Sequence, residues 1–82
     1  MRVIMEIESE LVQSLPYRKP SKRKLSEYID LMNNGVIIPP VHIWIHNGKL
    51  QFNDGIHRVM ASKMTNKPLT VKLHKMFVDS LK

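Results

Sequence analysis

Gly55, His57 and Arg58, in the run Phe52-Asn53-Asp54-Gly55-Ile56-His57-Arg58, are the residues of this chain best suited to chemistry. Arg presents a planar fork of donors that matches two phosphate oxygens, and His adds a donor whose charge depends on pH. A glycine just before them lets the backbone approach an anion closely and takes a positive φ where a turn demands one. The run lies where a strand pattern gives way to a helix pattern. The first amides of such a helix have no internal partners and carry the positive end of the helix dipole. These are the parts of an anion site, and phosphate suits them. The plainer alternative is that Asp54 caps the helix, Gly55 makes the turn, and His57 and Arg58 are solvated. Placement at an open helix N-terminus implies that His57→Ala and Arg58→Ala would cost ligand affinity and little stability. For catalysis, only His57 has a turn-defined position from which to act as general acid or base. Asp54 is the second catalytic candidate and, with phosphate oxygens, a loose Mg²⁺ ligand.

The remaining residue types exclude more than they suggest. The 82 residues contain no Cys, which removes disulfides, zinc–thiolate sites and thiol nucleophiles. His42 and His46 share a strand face, but a separation of about 13 Å is too wide for one ion, so no protein-only metal site is expected. Nuclease chemistry would want clustered carboxylates, and only Asp54 lies in the run, with Glu27 and Asp30 on the preceding helix. A net charge of +6 favours anionic partners: nucleotides, nucleic acid or acidic protein surfaces. The longest apolar stretch, Val36 to Val41, holds two prolines and is too short to cross a bilayer. Met1 to Glu6 does not read as a signal peptide, so the expectation is a cytoplasmic protein without a membrane partner.

The elements that must position the run follow from pattern. Val3 to Glu8 reads as a strand, and Leu11, Val12 and Leu15 as a short helical turn. Pro16 and Pro20 bracket an extended Tyr17-Arg18-Lys19. From Ser21, the expected N-cap, Leu25, Tyr28, Ile29 and Met32 define one helical face that ends at Asn34-Gly35. Lys22, Arg23 and Lys24 fill the first turn of that helix, the wrong end for its dipole. Val41, Ile43 and Ile45 alternate with His42, Trp44 and His46. Asn47-Gly48 then predicts a two-residue hairpin turn, pairing His46 with Lys49, Ile45 with Leu50 and Ile43 with Phe52. Trp44 lies opposite Ile43 and Ile45 and, as the one Trp of so small a core, is expected to be buried. Ile56, Val59, Met60 and Met64 supply the core side of a second helix that Asn66-Lys67-Pro68 stops. Leu69, Val71 and Leu73 make a closing strand, and the tail from Met76 makes a helical turn or frays. The prediction is one α+β domain over residues 1–82: a small mixed sheet with a central hairpin (about 41–53) and two main helices (about 22–34 and 56–66).

Asp54-Gly55-Ile56-His57-Arg58-Val59-Met60-Ala61 resembles the hallmark of the ParB/sulfiredoxin superfamily, a strand leading into Gly-x-[HR]-Arg and then a helix with a small Ala. The flanks are similar in order and spacing. Leu25 to Gly35 resembles the preceding amphipathic helix, Pro39-Pro40-Val41 to Ile45 the Pro-led strand, and Lys67 to Leu73 the closing strand. The resemblance implies a phosphate-binding fold with Gly55, His57 and Arg58 around nucleotide phosphates, joined by Lys24 and Arg18. Two departures matter. Sulfiredoxin chemistry needs a Cys where Ile56 stands, so sulfinic acid reduction is excluded. Partition proteins of ParB type carry a further helix-turn-helix domain and a dimerisation segment. The expectation here is instead a stand-alone minimal domain, similar to ParB-like nucleases and NTPases.

Two functions of different class remain open. One is a nucleotide- or nucleic-acid-phosphate-binding domain with weak NTPase or DNase activity. No cofactor is certain for it, and a nucleoside triphosphate with Mg²⁺ is the one it would take. The other is a non-catalytic adaptor or inhibitor of the accessory type found on phage and plasmids, using its basic surface on a nucleic acid or a protein. With the resemblance, Arg18, Lys19, Lys22, Arg23, Lys24 and Arg58 would gather on one face. That face would bind DNA through phosphates, without regard to sequence.

Overall fold

Alternation, turn chemistry and two helical stripes resolve into a four-stranded sheet with its helices on one side. The computed structural model describes residues 1–81. In chain order the elements are β1 (Arg2–Ile7), α1 (Ser9–Gln13), α2 (Lys22–Asn33), β2 (Val41–His46), β3 (Lys49–Phe52), α3 (Ile56–Thr65) and β4 (Leu69–His74). Two 3-10 turns, Lys75–Phe77 and Asp79–Leu81, complete the described chain. Strand order is β1-β4-β2-β3, antiparallel at both edges and parallel between β2 and β4. This is the expected α+β plan with a small mixed sheet.

The hairpin has the expected register, with Ile43 opposite Phe52, Ile45 opposite Leu50 and His46 opposite Lys49. Asn47 (φ 52°) and Gly48 (φ 75°) both take positive φ, as the two-residue turn requires. Helix α2 ends at Asn34-Gly35, where Gly35 N–H reaches the Met32 carbonyl and Val36 N–H the Leu31 carbonyl. Ser21 stands at the N-cap position of α2 as expected, yet its side chain caps nothing. The Lys67 ammonium donates to the Met32 carbonyl at 3.1 Å and ties the end of α2 to the end of α3.

The core lies between the sheet and α3, with Val59 and Met60 meeting Ile43, Phe52, Val71 and Leu73. Both main helices are on this side: α3 packs on the sheet, and α2 packs chiefly on α3 as an outer layer. Being an outer layer, α2 fully buries none of its residues. Two expectations are corrected by this arrangement. Met64 is 64% exposed, because the α3 face it occupies looks past the core rather than into it. Trp44 is only half-buried, because it points to the sheet face that neither helix covers. The tail is not frayed: its turns bring Phe77, Val78 and Leu81 against the core. Among the described residues, no helix is long and apolar enough to cross a membrane.

Candidate functional site

β3 delivers the chain at Phe52, Asn53-Asp54 bends it, and Gly55 starts α3 with φ 100° and ψ 30°. A side chain at Gly55 would be doubly obstructed. A Cβ there would lie 3.1 Å from Val41 Cγ2, 3.1 Å from Arg58 Nη2 and 3.2 Å from Arg58 Nε. The glycine is required both by its backbone conformation and by the guanidinium folded over it. Asp54 Oδ1 accepts from the Gly55 N–H at 3.0 Å, so its carboxylate makes the turn and does not cap the helix. The first helical hydrogen bond runs from Val59 N–H to the Gly55 carbonyl. No side chain caps this end, so the Ile56, His57 and Arg58 amides have no helical partner.

Arg58 and His57 do more for the fold than the sequence reading assigned them. Arg58 Nη1 donates to the carbonyls of Pro39 (3.1 Å) and Pro40 (3.2 Å), locking the start of α3 to the segment that enters β2. His57 Nε2 accepts from the Ser21 N–H at 3.1 Å and lies 3.3 Å from Ser21 Oγ. Because a backbone amide can only donate, the Nε2 lone pair is in use and the ring proton of this arrangement sits on Nδ1. These contacts argue against the expectation that replacing either side chain would cost little stability. Both side chains hold a neighbouring segment at the site.

The His57–Ser21 contact sets the start of α2 beside the start of α3. One turn further along α2, Lys24, Glu27 and Tyr28 face the Asp54–Arg58 turn across an open cleft of about 380 Å³. Lys24 thus lies with Gly55, His57 and Arg58. Of the two carboxylates that the sequence offered from this helix, Glu27 lines the cleft and Asp30 does not; Tyr28 was not read as a site residue, although its spacing of four from Lys24 is the signal that places it on that face. The cleft carries both signs of charge. Asp54 is turned to the Gly55 amide, and Glu27 approaches Arg23 at 3.6 Å.

The other basic residues have settings of their own. Arg18 is not part of the cleft lining: its guanidinium sits 5.0 Å from the Phe52 ring centroid and donates to the Phe52 carbonyl at 3.1 Å. Lys19 and Lys22 border a separate, largely apolar groove with Tyr17, Leu25, Met60 and Met64. Arg23 is exposed and pairs with Glu27. Successive helical residues point about 100° apart, so Lys22, Arg23 and Lys24 leave α2 in different directions.

Strand order, the uncapped glycine turn and the packing of α2 on α3 define a small α+β domain, and its fold is that of a known structure. The crystal structure of sulfiredoxin from Arabidopsis thaliana is similar to this chain, with a TM-score of 0.69 and 19% sequence identity. The match covers 89% of this chain and 85% of the sulfiredoxin. No family model matches the chain, and a search of curated proteins finds no match.

Proposed function

We propose that the cleft between the starts of α2 and α3 binds the phosphate of a nucleotide or a nucleic-acid strand. The observation that carries this reading is that the uncapped amides of α3 open into the same cleft as Lys24. Lone amides attract an anion weakly, and a lysine one helix away adds the charge that selects it. Lys24 makes no hydrogen bond or ion pair among the described residues, unlike Arg58, whose Nη1 is already engaged. Arg58 offers its remaining nitrogens beside Gly55, and Tyr28 brings a hydroxyl to the cleft. His57 orients the cleft by holding Ser21, a role that competes with service as a general base on Nε2. The function is therefore binding, and any hydrolysis is secondary to it.

A thermal-shift panel of ATP, CTP, GTP and short duplex DNA, each with and without Mg²⁺, tests the reading. Ligand at 100 times its Kd stabilises a fold by about 2.7 kcal/mol, which is roughly 10–20 °C for a domain of this size. Lys24→Ala should remove most of that shift while leaving the unliganded Tm within about 4 °C, since a surface substitution away from special features usually changes stability by no more than about 0.5 kcal/mol. No shift with any member of the panel would defeat the proposal.

A further inference from the structure

The side chains of the four strands alternate, and those packed under α3 leave a second face of the sheet open. That face carries Arg2, Ile4 and Glu6 from β1, Thr70, Lys72 and His74 from β4, His42, Trp44 and His46 from β2, and Lys49 and Gln51 from β3, placed by register. Ile4 is opposite Lys72, His42 is also opposite Lys72, and Trp44 is opposite Gln51. None of these residues is buried: Ile4 is 63% exposed, and Trp44 and Lys72 are half-buried. Trp44 sits on an inner strand with its ring beside His42, centroids 5.7 Å apart and planes tilted by 47°. Arg2 and Lys72 lie to one side of this pair and Lys49 to the other, and Glu6 is the one acidic side chain on the face.

We propose that this open face binds single-stranded nucleic acid, with Trp44 as the surface on which a base stacks and Arg2, Lys72 and Lys49 as the phosphate contacts. The site is separate from the cleft at α3, on the other side of the sheet. Every base has a π-face, so an aromatic side chain on a flat sheet, flanked by cations, holds a strand whose bases are unpaired. Duplex bases are stacked on one another and offer no such face, and a groove that admits a two-stranded ribbon does not admit the face of a four-stranded sheet. A second copy of the chain packed face to face about a two-fold axis would set cationic faces against each other. Burial first, and then the charges of Arg2 and Lys72, hold His42 below its ordinary 6.5, so those cations do lie within electrostatic reach of the ring. His42 is thereby kept neutral near pH 7 and free to extend the stacking surface.

Trp44 is the only Trp of the chain, so its fluorescence reports directly on the site. Titration with a short single-stranded oligothymidylate at low salt should quench it saturably, and a duplex of equal length should quench it far less. Binding of end-labelled oligothymidylate, read by anisotropy, should weaken by roughly 5- to 150-fold for Trp44→Ala and be largely retained by Trp44→Phe. Arg2→Gln and Lys72→Gln, both at the surface, should each reduce the slope of log affinity against log salt by about 0.7 and keep the test sound if Trp44→Ala fails to fold. Lys24→Ala and saturating ATP, which act at the α3 cleft, should leave the quenching of Trp44 unchanged, so this signal can stand or fall apart from the proposal for that cleft. The inference is overturned by unquenched fluorescence, or by affinity unaltered in Trp44→Ala. Equal quenching by polyglutamate would also overturn it, since the face would then be a docking surface for acidic proteins.

Discussion

Gly55→Ala is the sharpest perturbation the structure offers, because two separate costs converge on one atom. The backbone at Gly55, φ 100°, lies in the left-handed region, where an L side chain costs about 1–2 kcal/mol. The new Cβ would also stand 3.1 Å from Val41 Cγ2 and from Arg58 Nη2. Val41 is fully buried and cannot retreat, and the guanidinium can move only by loosening its bonds to Pro39 and Pro40. Overpacking of this kind adds about 1–3 kcal/mol. The total, about 2–5 kcal/mol, is a large part of the roughly 4–12 kcal/mol that 82 residues usually provide. Gly48→Ala is the internal control, since its φ of 75° carries similar strain and a Cβ there meets nothing within 4 Å. Urea unfolding followed by Trp44 fluorescence and circular dichroism should give Gly55→Ala the lower midpoint by an amount equivalent to about 1–3 kcal/mol. In a Val41→Ala background that excess should shrink, because one of the two obstructing side chains has lost its contact atom. Equal losses at Gly55 and Gly48, within about 0.5 kcal/mol, would refute the account of the turn.

Arg58→Ala should destabilise the unliganded protein by about 1–3 kcal/mol, because two carbonyls lose a charged donor but regain water; Arg58→Lys should recover only part, lacking the planar fork. Chemical denaturation measures both, and an unchanged midpoint would mean that the Pro39 and Pro40 contacts contribute nothing. His57→Phe keeps an aromatic ring and removes the acceptor of the Ser21 N–H, so amide exchange at Ser21 should speed up by about fivefold while that at Val59 does not change, a shift equivalent to the roughly 1 kcal/mol of one hydrogen bond. The pH dependence follows from His42, whose folded-state pKa is depressed below 6.5, first by burial and then by Arg2 and Lys72. The unfolded chain then binds more protons, so this contribution to stability is complete above about pH 6.5 and is lost as pH falls through the folded value. The effect is shallow because the ring is mostly in water, and unfolding midpoints at pH 5 and 8 should draw closer in His42→Gln.

The local elements were legible because their determinants are local. Asn47-Gly48 specifies its own turn, and with it the pairing of Ile43 and Phe52, by the positive φ that both positions accept. The break at Asn53-Asp54-Gly55, the helical stripe Leu25-Tyr28-Ile29-Met32 and the stop at Asn34-Gly35 are equally short-range. Lys24 could be placed near the turn only through the resemblance of motif and flanks. What the chain does at a distance depended on which way each face turned. Periodicity assigns Trp44 and Ile43 to opposite faces but cannot say that α2 and α3 share one side of the sheet, and that leaves Trp44 half-buried on an open face. The stripe of α3 includes Met64, yet α2 stacks on α3 without enclosing that position. Arg58 reads as a free cation in sequence because its acceptors are main-chain carbonyls, which every residue carries and no residue type announces. The same holds for His57 and the Ser21 amide, joined across 36 residues. Side-chain identity was determined by sequence; the partners of those side chains were decided by the strand order β1-β4-β2-β3, because hydrogen bonds to the backbone depend on where the chain passes and not on which residue passes there.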